Sequence, residues 1–173
     1  MSDQAPSSPI PGMGDAPNGQ AAGPMLQLNI QYTKDLSFEV PGAPEIYVQL
    51  REQPRVDLSL DVQARPVDGG PNVYEVSLQI RADAKAEGKP CFIAELSYCG
   101  VFTISVPQEH LEPVLLVECP RLLFPFARNI LADVTRDGGF PPVLLAPIDF
   151  VALWQSRRGQ GAGMQGGQPV ASA

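Results

Sequence analysis

Three cysteines and one histidine are the side chains of this protein that could serve as nucleophile, base or zinc ligand. A nucleophilic enzyme needs a Cys, Ser or Lys beside a base that a third group orients. His110 lies between Cys99 and Cys119 in sequence, which by itself brings no pair together. Neither these two cysteines nor Cys91 forms a CxxC motif, and a lone histidine does not complete a Cys/His zinc cluster. We interpret His110 as a surface or helix-start residue and predict no metal site.

Carboxylates and glycines are the remaining groups from which a reactive site could be built. The stretch DLSLD holds Asp57 and Asp61, but both fall on the polar side of an alternating segment, where solvation explains them without a catalytic role. The glycines of DGG and GQGAGMQGG do not follow a strand and precede a lysine-bearing helix, as a phosphate-binding loop does. The sequence therefore predicts no catalytic residues, no cofactor and no enzyme.

The net charge of the protein restricts the classes of partner that it can bind. The 12 basic residues are scattered and outnumbered by 19 acidic ones, giving a net charge of −7. Because no basic stripe could neutralise phosphates, we expect no nucleic-acid partner and no attraction to anionic membranes, whereas a cationic protein would suit this surface. The N-terminal stretch has no basic residue and no apolar run, so we predict neither a signal peptide nor membrane insertion.

The domain organisation follows from composition. A chain of 173 residues suits one domain with tails. Residues 1–24 and 158–173 are rich in proline or glycine with little to bury, so we predict disordered tails around a domain at 25–157. The odd number of cysteines suggests reduced thiols and a cytoplasmic location.

Four runs in the first half alternate apolar and polar residues with the period of two that a half-buried strand requires. The turn-forming sequences PVDGGPN and EGKP separate the last three runs, and such short connections favour antiparallel pairing. We therefore predict a four-stranded antiparallel sheet. The runs are MLQLNIQYTKDLSFEV, RVDLSLDVQAR, VYEVSLQIRADAKAE and CFIAELSYCGVFTISVP.

After Pro107 the period lengthens to about 3.6, which indicates helices. PRLLFPFARNILADVTRDGG carries an apolar stripe, and PIDFVALWQSRR predicts a final helix. The fold class is therefore α+β, with two or three helices covering one sheet face. The other face and the sheet edges would need a partner, so we predict a homo-oligomer. The stripe consists of Leu122, Phe126, Ile130 and Val134, flanked by Leu123, Ala127 and Leu131.

Three segments, YTKDLSFE, LFPFAR and GGFPPVLLAPIDF, occur here in an order that resembles the SecB family of bacterial protein-export chaperones. The resemblance covers residues 25–157. It implies a homotetramer assembled as a dimer of dimers, without ATP or metal. It also implies an ATP-independent holding chaperone that binds unfolded presecretory polypeptides in the cytosol, keeps them competent for translocation and delivers them to the SecA ATPase.

The resemblance also implies two kinds of site. The positions that match the SecA-docking surface of the family are Asp35, Glu39, Ile93 and Glu95. Asp35 and Glu39 share strand parity, as do Ile93 and Glu95, so each pair lies on one face of its strand. The positions that match the apolar client-binding groove are Phe38, Tyr47, Val56, Leu58, Leu60, Phe150 and Trp154.

Two features depart from the family pattern. The segment YVQLREQP lacks the tryptophan that many relatives have before the second strand, and the C-terminal tail has no acidic residues for an auxiliary SecA contact. Two other functions stay open on the residues alone. A small-molecule-binding or enzymatic α+β domain would have a closed pocket between sheet and helices, and an interaction scaffold would bind only folded partners.

Overall fold

Four long strands form the central sheet of the computed structural model, which describes the backbone of residues 25–163 and the side chains of residues 25–159. The strands are β1 (Leu26–Glu39), β2 (Arg55–Pro66), β3 (Val73–Ala86) and β4 (Lys89–Ile104). They are antiparallel in the order β1-β4-β3-β2. The predicted sheet is thus confirmed, and β1 and β2 form its edges.

Alternation along the strands gives the sheet two unlike faces. Val76, Leu78 and Ile80 of β3 are buried on one side, which we call the inner face because the helices cover it. Gln79 and Arg81 are exposed on the opposite side, the outer face. Because the side-chain period is two, the register alone decides which residues enter the core.

Tight turns join the last three strands. Asn72 (φ 67°) lies in the β2–β3 connection, and Gly88 (φ 78°) lies between β3 and β4. This left-handed conformation costs glycine little and asparagine less than most residues, which accounts for the turn sequences. The crossing from β1 to β2 carries a short helix, α1 (Glu45–Gln49), which is anchored by the buried Ile46 and was not predicted.

A bulge in β1 changes which residues share a face. The register shifts between Thr33 and Asp35, so Tyr32 pairs with Cys99 and Asp35 with Ser97. Cys99 and Ser97 lie on the same side of β4, so Tyr32 and Asp35 both reach the outer face although they are three residues apart. Strict alternation, as assumed from the sequence, would have separated them.

A continuous helical stretch follows the sheet. It consists of α2 (Gln108–Pro113), a π-helical turn (Val114–Glu118) and α3 (Cys119–Asp137). Pro120 has no N–H to donate to a preceding carbonyl, and the wider π turn ends two residues before it, at Glu118. Helical structure begins at Gln108, directly after Pro107, where the sequence period changes as predicted.

The predicted apolar stripe of α3 needs correction. Leu122 and Phe126 are 45% and 47% exposed, whereas the flanking Leu123, Ala127 and Leu131 are fully buried against the sheet. The other two stripe residues, Ile130 and Val134, are half-buried against the core. A helical turn takes 3.6 residues, so residues four apart move gradually round the helix, here from its exposed side towards the sheet.

The last helix, α4 (Phe150–Gly163), begins after Asp149, whose Oδ1 accepts a hydrogen bond from the Ala152 N–H at 3.0 Å. It continues past residue 157, where the sequence-based domain boundary was placed. Arg157 donates to the Val62 carbonyl of β2 at 3.1 Å and so covers part of that free edge. Residues 1–24 and 164–173, on which the rest of the tail predictions fall, lie outside the described residues.

Candidate functional site

The outer face brings together all four residues that the sequence predicted for partner docking. Glu39 of β1 is directly opposite Ile93 of β4, and Glu95 is opposite Ser37, two positions from Asp35. We call Asp35, Glu39, Ile93 and Glu95 the outer patch. Both acids of β1 and Glu95 are exposed, and Ile93 is half-buried among them. Such a surface combines negative charge with an apolar centre, which favours a cationic protein segment.

An ion-pair bridge links the outer patch to β3. Arg81 lies opposite Glu95 across the β3–β4 pair, and its Nη1 donates to the Glu95 carboxylate. Its Nε and Nη2 donate to the two oxygens of Asp83 at 2.7 and 2.8 Å. This forked hydrogen bond holds the guanidinium in one orientation and lowers the pKa of the Asp83 carboxyl. An open depression of about 390 Å³ borders Arg81, Glu95 and Asp35.

A second charged group on the outer face is nearly buried. Glu75 of β3 is only 4% exposed, and its carboxylate accepts hydrogen bonds from Tyr32, Lys34 and Arg65. The Arg65 Nε lies 2.6 Å and the Lys34 Nζ 3.1 Å from Oε2. The hydrogen bond from Tyr32, followed by those from the two basic residues, lowers the pKa of Glu75 to about 2. The same contact raises the pKa of Tyr32 to about 12.

Sequence reasoning missed this cluster, which we call the Glu75 cluster. Alternation places Glu75 on the polar side of β3, and its partners come from β1 and β2, which are the two edges of the sheet. Arg65 lies opposite Glu75 in the β2–β3 hairpin, but no local motif joins Glu75 to Tyr32 and Lys34, which precede it by 43 and 41 residues. Because the pKa of Glu75 is lowered rather than raised, and its donors hold it ionised, it is unsuited to general acid catalysis at neutral pH.

The inner side carries an aromatic cluster at the C-terminal end of α3. Phe38 stacks on Phe92 with ring centroids 5.4 Å apart, and Tyr47 lies 5.4 Å from Phe140. The Tyr47 hydroxyl donates to the Gly138 carbonyl at 2.8 Å. Phe92 and Phe140 are buried, while Tyr47 is 45% exposed. Of the predicted groove residues, Phe38 and Tyr47 therefore lie together, with Tyr47 facing solvent.

A second group of predicted groove residues lies along β2. Val56, Leu58 and Leu60 all belong to its inner side, since they pair with Ala84, Ala82 and Ile80 of β3. Leu58 is 50% exposed, and Val56 and Leu60 are half-buried. Edge strand β2 thus presents an apolar row that the helices do not fully cover.

The predicted groove residues of α4 differ in exposure. Phe150 is 1% exposed and packs edge-on against Phe124, so in this conformation it belongs to the core. Trp154 is half-buried, its Nε1 donates to Glu112 at 3.2 Å, and the Arg158 guanidinium lies 5.0 Å from its ring centroid. Trp154 also borders an open cavity of about 200 Å³ that reaches Val62 of β2.

The thiols and the histidine form no reactive constellation among the residues that the structure describes. Cys91, Cys99 and Cys119 are buried and free. Burial raises the pKa of the Cys119 thiol to about 12, which disfavours the nucleophilic thiolate. His110 is exposed. Within residues 25–163 no group of three or more potential ligands is arranged to hold a metal ion, and no helix is both long and apolar enough to cross a membrane.

The family follows from the sequence match. Residues 19–161 match the model of the family described as preprotein translocase subunit SecB. This chain belongs to the SecB family. Protein-export protein SecB of Granulibacter bethesdensis is 64% identical over 152 residues, covering 84% of this chain and 89% of that protein. Its counterpart in Acidiphilium cryptum is 62% identical, covering 80% and 92%.

A solved structure shares the fold. The SecB-like chaperone of Mycobacterium tuberculosis, determined in complex with a peptide from the HigA1 antitoxin, gives a TM-score of 0.60 at 15% identity. The structural match covers 72% of this chain and 91% of the chain of that chaperone. The comparison confirms the SecB-like sheet with helices. The family match confirms that this member of the SecB family is a protein-export chaperone and not an enzyme.

Proposed function

We propose that this SecB-family protein is an ATP-independent holding chaperone that binds unfolded presecretory polypeptides in the cytoplasm and passes them to the SecA ATPase. The observation that carries the proposal is the partly open apolar surface on the inner side of a SecB-family chain. Tyr47 and Leu58 expose about half of their side chains there. Exposed apolar residues that cluster on one side indicate a binding surface for other chains.

Client binding would use several weak contacts. The two surfaces proposed for it are the aromatic cluster around Tyr47 and the apolar row of β2, extended by Trp154. Burial of apolar area contributes about 25 cal/mol per Å², so each short contact is weak. Contacts made by one extended polypeptide add through multivalency, while each releases readily. Binding of this kind selects unfolded chains, because folded proteins have already buried their apolar segments.

SecA docking would use the outer patch. Asp35, Glu39 and Glu95 supply negative charge around Ile93, and the sheet separates this surface from the proposed client surfaces. Complementary charge raises the rate of encounter and selects the partner. A client held on the inner side would therefore leave the outer patch accessible to SecA.

Assembly into a dimer of dimers is supported by surfaces left open on the isolated chain. Edge strand β1 exposes Ile30 at 57%, and an unpaired edge is a template for a second strand. On α3, Leu122 and Phe126 expose nearly half of their side chains. Symmetric pairing would cover both surfaces and join the client surfaces of neighbouring subunits.

Native mass spectrometry of the purified protein with a denatured presecretory polypeptide tests the holding function. We expect a tetramer that captures the unfolded chain and ignores the same polypeptide after folding. A tetramer that binds both forms equally would favour an interaction scaffold. A monomer that captures neither form would contradict the proposal.

A further inference from the structure

Arg81 is a basic residue on the face where the proposed partner needs negative charge. Its guanidinium lies between Asp83 and Glu95 and donates to both carboxylates. Among the described residues, neither Asp35 nor Glu39 forms an ion pair. Within the outer patch, Arg81 therefore neutralises the charge of Glu95 alone. Arg81 therefore occupies one of the positions that a cation from the partner would take.

The bridge can be opened at low cost. The Arg81 and Glu95 side chains are 44% and 48% exposed, and ion pairs that are this accessible to water contribute little to stability. Asp83 holds the other edge of the guanidinium through two hydrogen bonds, so Arg81 has a second carboxylate when it leaves Glu95. The open depression beside Glu95 gives an incoming side chain access to the same carboxylate.

We propose that Arg81 competes with the basic residues of SecA for Glu95 and thereby sets the affinity of the outer patch and its dependence on salt. This inference rests on the proposed docking function. A partner cation must displace Arg81 or share the carboxylate with it, and the positive charge of Arg81 also opposes the approach of a basic surface. Loss of Arg81 would then strengthen docking, although the residue lies within the docking face.

The test is a double-mutant cycle on the full-length protein, with Arg81→Gln, Glu95→Gln and the double variant titrated against SecA by isothermal calorimetry at low and high salt. We expect Arg81→Gln to bind SecA about two- to fivefold more tightly at low salt, in line with the small size of exposed ion pairs. The gain should shrink at high salt and in the Glu95→Gln background. The matched control is Arg136→Gln, which removes an equally charged, 60% exposed residue from α3 rather than from the outer face.

The outcomes separate this inference from the function on which it rests. Weaker binding of Arg81→Gln would mean that Arg81 contacts SecA itself, and a gain no larger than that of Arg136→Gln would reduce its role to net charge. Either result overturns the proposed competition. The docking surface itself still stands in that case, provided that Glu95→Gln weakens SecA binding. If the unaltered protein does not bind SecA, or if Glu95→Gln binds equally well, the proposed docking surface fails and the inference fails with it.

Discussion

The two faces of this sheet are built from the same strands with the same alternation, yet they are held together differently. On the inner face, Val76 and Leu78 are completely buried beneath helices, and apolar contact dominates. On the outer face, Glu75 is almost as inaccessible, but hydrogen bonds and charge enclose it. A polar strand face is therefore not uniformly a solvated surface. Glu75 and Glu95 occupy the same face, one 4% and the other 48% exposed.

The difference suggests a division of labour. The inner face stabilises the fold and, where the helices end, leaves apolar side chains exposed for the client binding that we propose. The outer face contains an ion-paired, hydrogen-bonded cluster around the buried Glu75 and an accessible acidic patch around Glu95. If the account is right, substitutions on the two faces should affect different properties.

The largest expected effect comes from the inner face. Leu123 of α3 is fully buried, so Leu123→Ala should lower the free energy of unfolding by about 2–5 kcal/mol, because it removes apolar contact and leaves a cavity. Urea denaturation at fixed protein concentration measures this. Leu144→Ala, at a 77% exposed position, is the control and should change the value by less than about 0.5 kcal/mol. Equal effects would contradict the assignment of the inner face.

On the outer face, Glu75→Ala should be the most damaging substitution. It removes the acceptor shared by Tyr32, Lys34 and Arg65. We expect a loss of about 1.5–3 kcal/mol, the range for hydrogen bonds to charged groups. Thermal denaturation of Glu75→Ala and of Glu95→Gln measures the two losses of stability. Glu95→Gln is the comparison because the Glu95 carboxylate is exposed. If Glu75→Ala were as stable as the unaltered protein, the Glu75 cluster would contribute nothing measurable to the free energy of unfolding.

The pH dependence of stability should identify the same cluster. The pKa of Glu75 falls from 4.5 to about 2 on folding, so the native state binds fewer protons than the unfolded chain between these values. The stabilisation from Glu75 is therefore complete above pH 4.5 and is lost as the pH falls towards 2. Unfolding free energies measured from pH 7 to pH 2 should show the advantage of the unaltered protein over Glu75→Gln shrinking across that window. A constant difference would contradict the lowered pKa.

A smaller effect, on function rather than stability, should follow from Leu58→Asp. Leu58 is half exposed on the inner side of β2, and a charge there should weaken binding of an unfolded client about three- to tenfold by disfavouring apolar contact. Ser59→Asp makes the same charge change on the next residue, which faces the outer side. Fluorescence anisotropy with a labelled unfolded polypeptide measures both affinities. Similar losses in the two variants would show that net charge, rather than the face, matters.

Most of the sheet could be predicted because alternation over long runs has few competing interpretations. The helix register could not. Leu122 and Leu123 are both leucines at adjacent positions, and only packing on the sheet decides that the second is buried. The four residues of the outer patch came from family resemblance, and the pairing of β1 with β4 explains why they meet.

The Glu75 cluster was beyond sequence reasoning for a different reason. Two of its donors, Tyr32 and Lys34, come from β1, which is separated from β3 by β4, so they reach Glu75 only after β1 has joined the sheet. Arg65 of β2, by contrast, lies opposite Glu75 in the β2–β3 hairpin. The bulge after Thr33 is also needed to place Tyr32 and Asp35 on one face. Neither the strand order nor the bulge is encoded by a local pattern of residues.

The most direct test of the account is whether the two faces can be separated functionally. Glu95→Arg reverses the charge at the exposed end of the outer patch without altering the inner side. We expect it to weaken SecA binding at least tenfold while leaving the affinity for an unfolded presecretory polypeptide unchanged, both measured on one preparation of the purified protein. Unchanged SecA binding, or a parallel loss of both activities, would contradict the assignment of docking to the outer face and holding to the inner side.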